Sequence, residues 1–313
     1  MVGGSNPPGR AIMNIVINLN KPENISSQQA VTRVKRLFSA KKAGHAGTLD
    51  PIATGVLIVC LDEATKITRF LSDLNKEYIV RLKLGERTDT YDSTGRVIDR
   101  ADFHFIKESD IHKVLSNFIG HIKQTPPMYS AIKIGGQPLY KLARKGIIVE
   151  RPERDITVHA MDFLSFDPPY LDLKISCSKG TYIRTICDDI GNALGAGAHM
   201  VSLTRTRIGA FRIEDSVSIE GLSNNKDPGC SIDSAILHLK EIILDEESYA
   251  KAKNGVSIIC PASCLSPPLL TGDERVPENS SINQYIRLKS PQHVLFGIGK
   301  IENNRIEIER LLN

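Results

Sequence analysis

The sequence predicts an α+β protein in two parts: a large domain of interleaved strands and helices, then a small β-rich one. Three observations carry this. Apolar residues alternate at period two over 77–84 (EYIVRLKL) and 171–177 (LDLKISC), the pattern of half-buried strands. They recur at helical spacing after Ser26, over 108–119 and from Ile183 to Leu194. Composition shifts after about residue 240, with Pro and Ser clustered over 261–277 and short strand patterns beyond. A chain of 313 residues also fits two domains better than one.

The elements follow in order. Residues 1–12 are Gly- and Pro-rich, lack an apolar signal core, and read as a flexible tail. Residues 13–20 (MNIVINLN) read as a strand, ending in the turn Lys21 to Asn24. Ser26 or Ser27 then caps a helix whose apolar stripe is Ala30, Val31, Val34, Leu37 and Phe38. Gly44 to Pro51 (GHAGTLDP) is expected to be a loop, since glycine reaches backbone angles closed to other residues and Pro51 cannot continue a ladder. Residues 55–61 (GVLIVCL) form a buried strand, so Asp50 stands on a tight loop backed by a rigid element. After the strand 77–84, 89–95 (DTYDSTG) reads as a polar turn, because the ligand spacing of a calcium loop is absent. The helix 108–119 turns Ile111, Val114, Leu115 and Phe118 inward.

A long irregular, mostly basic stretch occupies 124–154, with a helical piece around Leu139–Arg144; it suits a flap closing on nucleic acid. Ser178 to Thr181 is a turn into the next helix, and 199–213 carries Arg205, Arg207 and Arg212. Val294–Ile301 and Arg305–Glu309 close the chain as strands joined by Glu302-Asn303-Asn304. The domains are accordingly placed at 13–240, with the insertion at 124–154, and at 245–313.

Composition excludes little by itself. Hydrophobic residues are 41% and charged residues 24%, as in soluble globular proteins, and no apolar run approaches a membrane span. A cytoplasmic location is expected. Six scattered cysteines read as free thiols; Cys260 and Cys264, the one close pair, lack the further ligands that a closed zinc site needs. A net charge of +4 is mild. From Thr32 to Leu49, however, Arg33, Lys35, Arg36, Lys41, Lys42 and His45 appear with no acid. That run fits either a phosphate backbone or the solvated face of a helix.

Asp50 alone would be one acid among 36. Its surroundings say more. Residues 44–57 (GHAGTLDPIATGVL) resemble the catalytic motif of the TruB pseudouridine synthases. Further segments match in the expected order: 62–66 (DEATK), 76–80 (KEYIV), 87–90 (RTDT) with Asp92, 126–133 (PPMYSAIK), 177–185 (CSKGTYIRT) and 197–203 (GAHMVSL). The resemblance covers about residues 13 to 215 and, in the tail, extends only to a PUA-like domain.

It implies a pseudouridine synthase fold, with a mixed, mostly antiparallel sheet flanked by helices, and isomerisation of uridine 55 in the T loop of tRNA by base flipping. Asp50 would be the nucleophile, attacking at base or ribose. Arg184 would pair with it and keep it charged; the plainer reading is a surface helix residue. Tyr78 would stack on the flipped base and assist with the C5 proton, or simply be a core tyrosine. His45 would fill the space that the base vacates. Tyr182 and Leu203 would line the base pocket, although both also look like core residues, and Lys66 would help orient the site. No metal or other cofactor is implied. The implied partner is tRNA, through its T-arm stem-loop; neither a membrane nor a guide RNA is expected, and the chain is expected to act as a monomer. The competing readings are a non-catalytic RNA-binding protein, a guide-dependent synthase, and an aspartyl hydrolase or phosphotransferase. The last would need acids clustered around Asp50.

Overall fold

Local signals set the first elements. Ser26 caps the first helix with a reciprocal capping box: Gln29 donates its backbone N–H to Ser26 Oγ and accepts from the Ser26 backbone through its own side chain. Ala30, Val31 and Val34 are buried beneath that helix. Leu37, on the last turn of the predicted stripe, is instead 42% exposed.

A computed structural model describes residues 14–130, 132–223, 228–260 and 284–312. The predicted tail at 1–12, the Pro/Ser cluster at 261–277 and Cys264 within it lie outside the described residues. The chain runs β1 (Ile15–Lys21), α1 (Ser27–Leu37), β2 (Ala43–Ala46), β3 (Thr54–Leu61), a 3₁₀ turn (Asp62–Ile67), α2 (Thr68–Ser72) and β4 (Lys76–Leu84). A hairpin follows, β5 (Glu86–Thr88) and β6 (Val97–Arg100), then α3 (Glu108–Ser116) and β7 (Gly120–Gln124). The insertion carries a small hairpin, β8 (Lys133–Ile134) and β9 (Gln137–Pro138), and α4 (Leu139–Ala143). The core resumes with β10 (Arg154–Asp167), β11 (Tyr170–Cys177), α5 (Ile183–Ala193), β12 (Ala198–Ile208) and β13 (Phe211–Arg212). Last come α6 (Ile219–Leu222), β14 (Cys230–Ser231), α7 (Ile232–Ala235), β15 (Lys240–Ile243), α8 (Glu246–Lys253), β16 (Ile258–Ile259), β17 (Tyr285–Lys289), β18 (Leu295–Glu302) and β19 (Arg305–Leu311).

Among the described residues, ten strands make the large sheet, in the order β14-β1-β3-β12-β4-β11-β10-β7, with β2 added on β3 and β13 on β12. Among the described residues its ladders are antiparallel except β12 on β3, so the sheet is mixed and mostly antiparallel, as expected. The segment 43–46 corrects one expectation. It is a short strand pairing His45 with Val59, and the loop proper begins at Gly47.

Alternation works as predicted on β4: Tyr78, Val80, Leu82 and Leu84 are buried, while Ile79 and Arg81 face out. One face of the sheet packs on α3 and α5, where Ile183, Ile186, Cys187 and Ile190 are buried, each isoleucine contributing about 1.5–3 kcal/mol. Elsewhere α1 covers β1 and β3.

Among the described residues, five strands make the second sheet, in the order β15-β17-β18-β19-β16. The closing hairpin turns at Asn303 and Asn304, both at positive φ, the conformation that two-residue hairpin turns select. This small β-rich unit docks on α2. The Arg69 guanidinium lies 4.8 Å from the ring centroids of both Phe70 and Tyr285 and pairs with Glu309 at 2.6 Å. Among the described residues, Cys60, Cys177, Cys187, Cys230 and Cys260 form no disulfide. No helix of the described residues is long and apolar enough to cross a membrane.

Candidate active site

The loop between β2 and β3 is tied down on both sides. Ser27 Oγ accepts from the Leu49 N–H at 2.8 Å and donates to the Leu49 carbonyl at 2.9 Å. The buried Lys21 ammonium donates to the carbonyls of Pro22 and Ile25 at 2.8 Å and of Pro51 at 3.4 Å. Asn24 donates its backbone N–H to the Pro51 carbonyl as well. At the far end Gly55 sits at φ +95, and a Cβ there would lie 2.3 Å from the Arg205 carbonyl oxygen, so only glycine fits. These ties leave Asp50 one direction to face, a cleft of about 1030 Å³ that it lines together with His45, Tyr78, Tyr182, Arg184 and Leu203.

Arg184 meets Asp50 as a fork, Nε to Oδ2 at 2.9 Å and Nη2 to Oδ1 at 3.3 Å. Its side chain is only 7% exposed, which removes the surface-helix reading, while that of Asp50 is 36% exposed toward the cleft. The guanidinium is oriented by more than Asp50. It also donates to Asp92 Oδ2 at 3.2 Å, to the Thr90 carbonyl at 3.1 Å and to the Tyr129 carbonyl at 2.9 Å. Asp92 is itself fixed by the Thr90 hydroxyl and by the backbone and hydroxyl of Thr94. The first turn of α5, which carries Arg184, is held by the Gln124 amide, which bonds both the N–H and the carbonyl of Tyr182.

The electrostatics differ from expectation in one respect. Burial pushes the Asp50 carboxyl above its ordinary range; Arg184 opposes this, and the neighbouring Asp92 adds to it. The net direction is upward, so Arg184 moderates the cost of ionising Asp50 without cancelling it. Burial also raises the Tyr78 and Tyr182 phenols. His45 is kept below its usual range by burial and then by the charge of Arg205, which favours a neutral ring. Its Nδ1 is buried without a hydrogen-bond partner among the described residues.

Six of the seven residues singled out in the sequence thus share one cleft. Lys66 does not. Its ammonium pairs with Glu63 at 2.5 Å and donates to the Leu311 carbonyl at 2.9 Å, at the junction with the small sheet. The 3₁₀ turn aims it there, away from the cleft.

Two residues of the site were not recognised in the sequence as functional. Asp92 falls in a segment that resembles the family's, but within a polar turn that suggested no role for it. Arg205 reads as one of several basic residues, yet it is 1% exposed. The available signal was its place two residues after Leu203, on the same inward face of a strand. No group of three or more metal-binding side chains occurs among the described residues.

Comparison with known proteins fits this geometry. Residues 35–183 match the N-terminal domain of the TruB family of pseudouridylate synthases, and 184–249 match the C-terminal domain described for tRNA pseudouridylate synthase B. The matched family therefore defines the class, a pseudouridylate synthase, an isomerase acting on uridine. Relatives extend the match over nearly the whole chain. A protein of Clostridium tetani named tRNA pseudouridine synthase B is 41% identical over 96% of this chain and 100% of its own. One of the same name from Haemophilus influenzae is 38% identical over 95% of this chain and 94% of its own. The chain belongs to the TruB family. In fold it is similar to a solved Cbf5-Nop10-Gar1 complex, with a TM-score of 0.71 and 23% identity, covering 99% of this chain and 91% of that one.

Proposed function

We propose that the protein converts uridine 55 in the T loop of tRNA to pseudouridine, with Asp50 as nucleophile. The observation that carries this is the fork between Asp50 and the buried Arg184 at the base of a cleft walled by Tyr78, Tyr182 and Leu203. Such a cleft admits a pyrimidine only after it has left its stack, so the nucleotide is flipped, at a cost of a few kcal/mol that stacking and pocket contacts offset. Asp50 attacks base or ribose and the glycosidic bond breaks. The uracil turns and C5 bonds to the sugar. The exposed Arg33, Arg36, Lys41 and Lys42 and the insertion at 124–154 supply phosphate contacts, which makes binding strongly salt-dependent.

The relatives named tRNA pseudouridine synthase B favour tRNA as a substrate bound without a guide RNA. We place the synthase domain at 13–240 and the PUA-like domain at 245–313, with β15 of the connecting segment completing the small sheet, in a monomeric, cytoplasmic enzyme. Tritium release from C5, or mass spectrometry, on an unmodified T-arm hairpin tests this directly. Purified protein converts the hairpin without added RNA, and Asp50→Asn or Asp50→Ala abolishes conversion while RNA binding persists. Conversion that required a guide RNA, or that survived loss of the carboxylate, would refute the reading.

A further inference from the structure

Arg205 has the largest fully buried side chain among the described residues. Burying a guanidinium is costly unless its charge is compensated or used. Its hydrogen-bond partners are neutral oxygens: Nε donates to the Val56 carbonyl at 2.7 Å and Nη2 to the Gly47 carbonyl at 2.9 Å. The first lies on β3 and the second opens the Asp50 loop. Across the β12–β4 ladder Arg205 is registered directly with Tyr78, which places both side chains on one face, and both line the cleft. Gly47, at φ +90, takes a backbone conformation that glycine allows and L side chains rarely adopt, and so turns its carbonyl to the guanidinium. One buried cation therefore touches the nucleophile loop and faces the tyrosine.

We propose that Arg205 is a positioning residue for the proton-transfer half of the isomerisation, fixing the Tyr78 phenol relative to the Asp50 loop and stabilising negative charge on its oxygen. The inference rests on the function proposed above. The step balances within the site. When the glycosidic bond breaks, Tyr78 gives its phenol proton to the anionic uracil set free. After C5 bonds to the sugar, the phenolate takes the C5 proton and the electron pair of that C–H bond restores the C5–C6 double bond; the bond that Asp50 had made, to the ribose (broken as C5 bonds there) or to C6 of the base (broken as the double bond re-forms), returns its electron pair to the carboxylate. Tyr78 returns to its starting state, and one proton has moved from carbon to nitrogen or oxygen of the base. The direction of the electrostatics agrees: burial dominates and raises the Tyr78 phenol, while the charge of Arg205 pulls it back down.

Single-turnover conversion of a T-arm hairpin carrying hydrogen or deuterium at C5 of the target uridine separates this role from simple strand bracing. Arg205→Gln in the full chain slows conversion on the order of 100-fold with RNA binding kept. Its C5 deuterium effect exceeds that of the wild type, because proton removal has become limiting. Arg205→Lys, which keeps the charge, recovers part of the rate. Added to Tyr78→Phe, Arg205→Gln costs little more, since the two act as a unit. A slowed variant with the isotope effect of the wild type, or losses that add, overturns the proposal. Should the Gln variant not fold, Arg205→Lys is read the same way: a raised isotope effect supports the role and an unchanged one rejects it. A wild type that leaves the hairpin unmodified overturns the proposed substrate itself, a result separate from any behaviour of Arg205.

Discussion

Arg184 serves two carboxylates and two carbonyls at once, and this decides how Asp50 responds to pH. A nucleophilic carboxylate has to be ionised, so kcat/KM rises with pH through the Asp50 pKa of the free enzyme. Burial moves that acid limb above the ordinary aspartate range. The two neighbours act in opposite directions, and their removal is correspondingly opposite. Arg184→Gln takes away the cation that lowers the Asp50 pKa, so the limb moves to higher pH; the rate at its plateau falls on the order of 100-fold because a fixed charge partner is lost. Asp92→Asn takes away the anion that raises it, so the limb moves to lower pH, with a smaller loss in rate from a less firmly held guanidinium. A tenfold change in the acidity of Asp50 corresponds to about 1.4 kcal/mol. A pH–rate series on the two variants reads both signs; movement in the same direction would mean that the limb belongs to another group.

Element by element, the site depends on turns that few residues can make, and the glycines rank those turns. Gly55→Ala meets both a positive φ and the Arg205 carbonyl, where a Cβ would lie 2.3 Å away. Gly180→Ala meets only the φ of +81, with open space around it. Urea denaturation should therefore show a loss of about 1–2 kcal/mol at Gly180 and a much larger one at Gly55, because β3 and β12 must separate there. Equal losses would argue against the close approach. The same contrast explains what the sequence disclosed. Strands such as β4 were legible because one buried face imposes strict alternation. The four-residue β2 was not, because its pairing with β3 comes from tertiary contact and its GHA sequence reads as loop. Helix α1 was legible except at Leu37, which faces outward although Val34 and Phe38 on either side of it pack on the core. Arg205 and Asp92 were hidden for a common reason: a charged residue in a strand or turn reads as solvated unless its buried partners are known. Lys66 shows the converse, a residue near the motif in sequence that the chain direction carries elsewhere.

At the scale of the whole molecule, the two sheets meet through a charged junction with one uncharged weak point. Arg287 on β17 pairs with Asp233 on α7 at 2.6 Å and with Glu241 on β15 at 3.2 Å, and Lys289 joins both acids. Beside this network His238 is mostly buried, and its Nε2 has no hydrogen-bond partner among the described residues. Burial, then the charge of Arg287, lowers its pKa to about 4 from 6.5. The unfolded chain therefore binds a proton near pH 6.5 that the folded one refuses until about pH 4. His238 stabilises the fold fully above pH 6.5, and that contribution drains away as pH falls to about 4. Asp233 does not confuse the window. Burial pushes its carboxyl up, but bonds from Arg287 and Lys289 outweigh this and hold it below 3.8, so its contribution persists through the same range. Thermal unfolding between about pH 7 and pH 4 should show the wild type losing stability more steeply than His238→Gln, which cannot titrate. Parallel curves would place the acid sensitivity elsewhere. Urea profiles at about pH 7 and about pH 4.5 would then show whether the small sheet loosens before the large one, as expected if protonated His238 repels Arg287 at their junction.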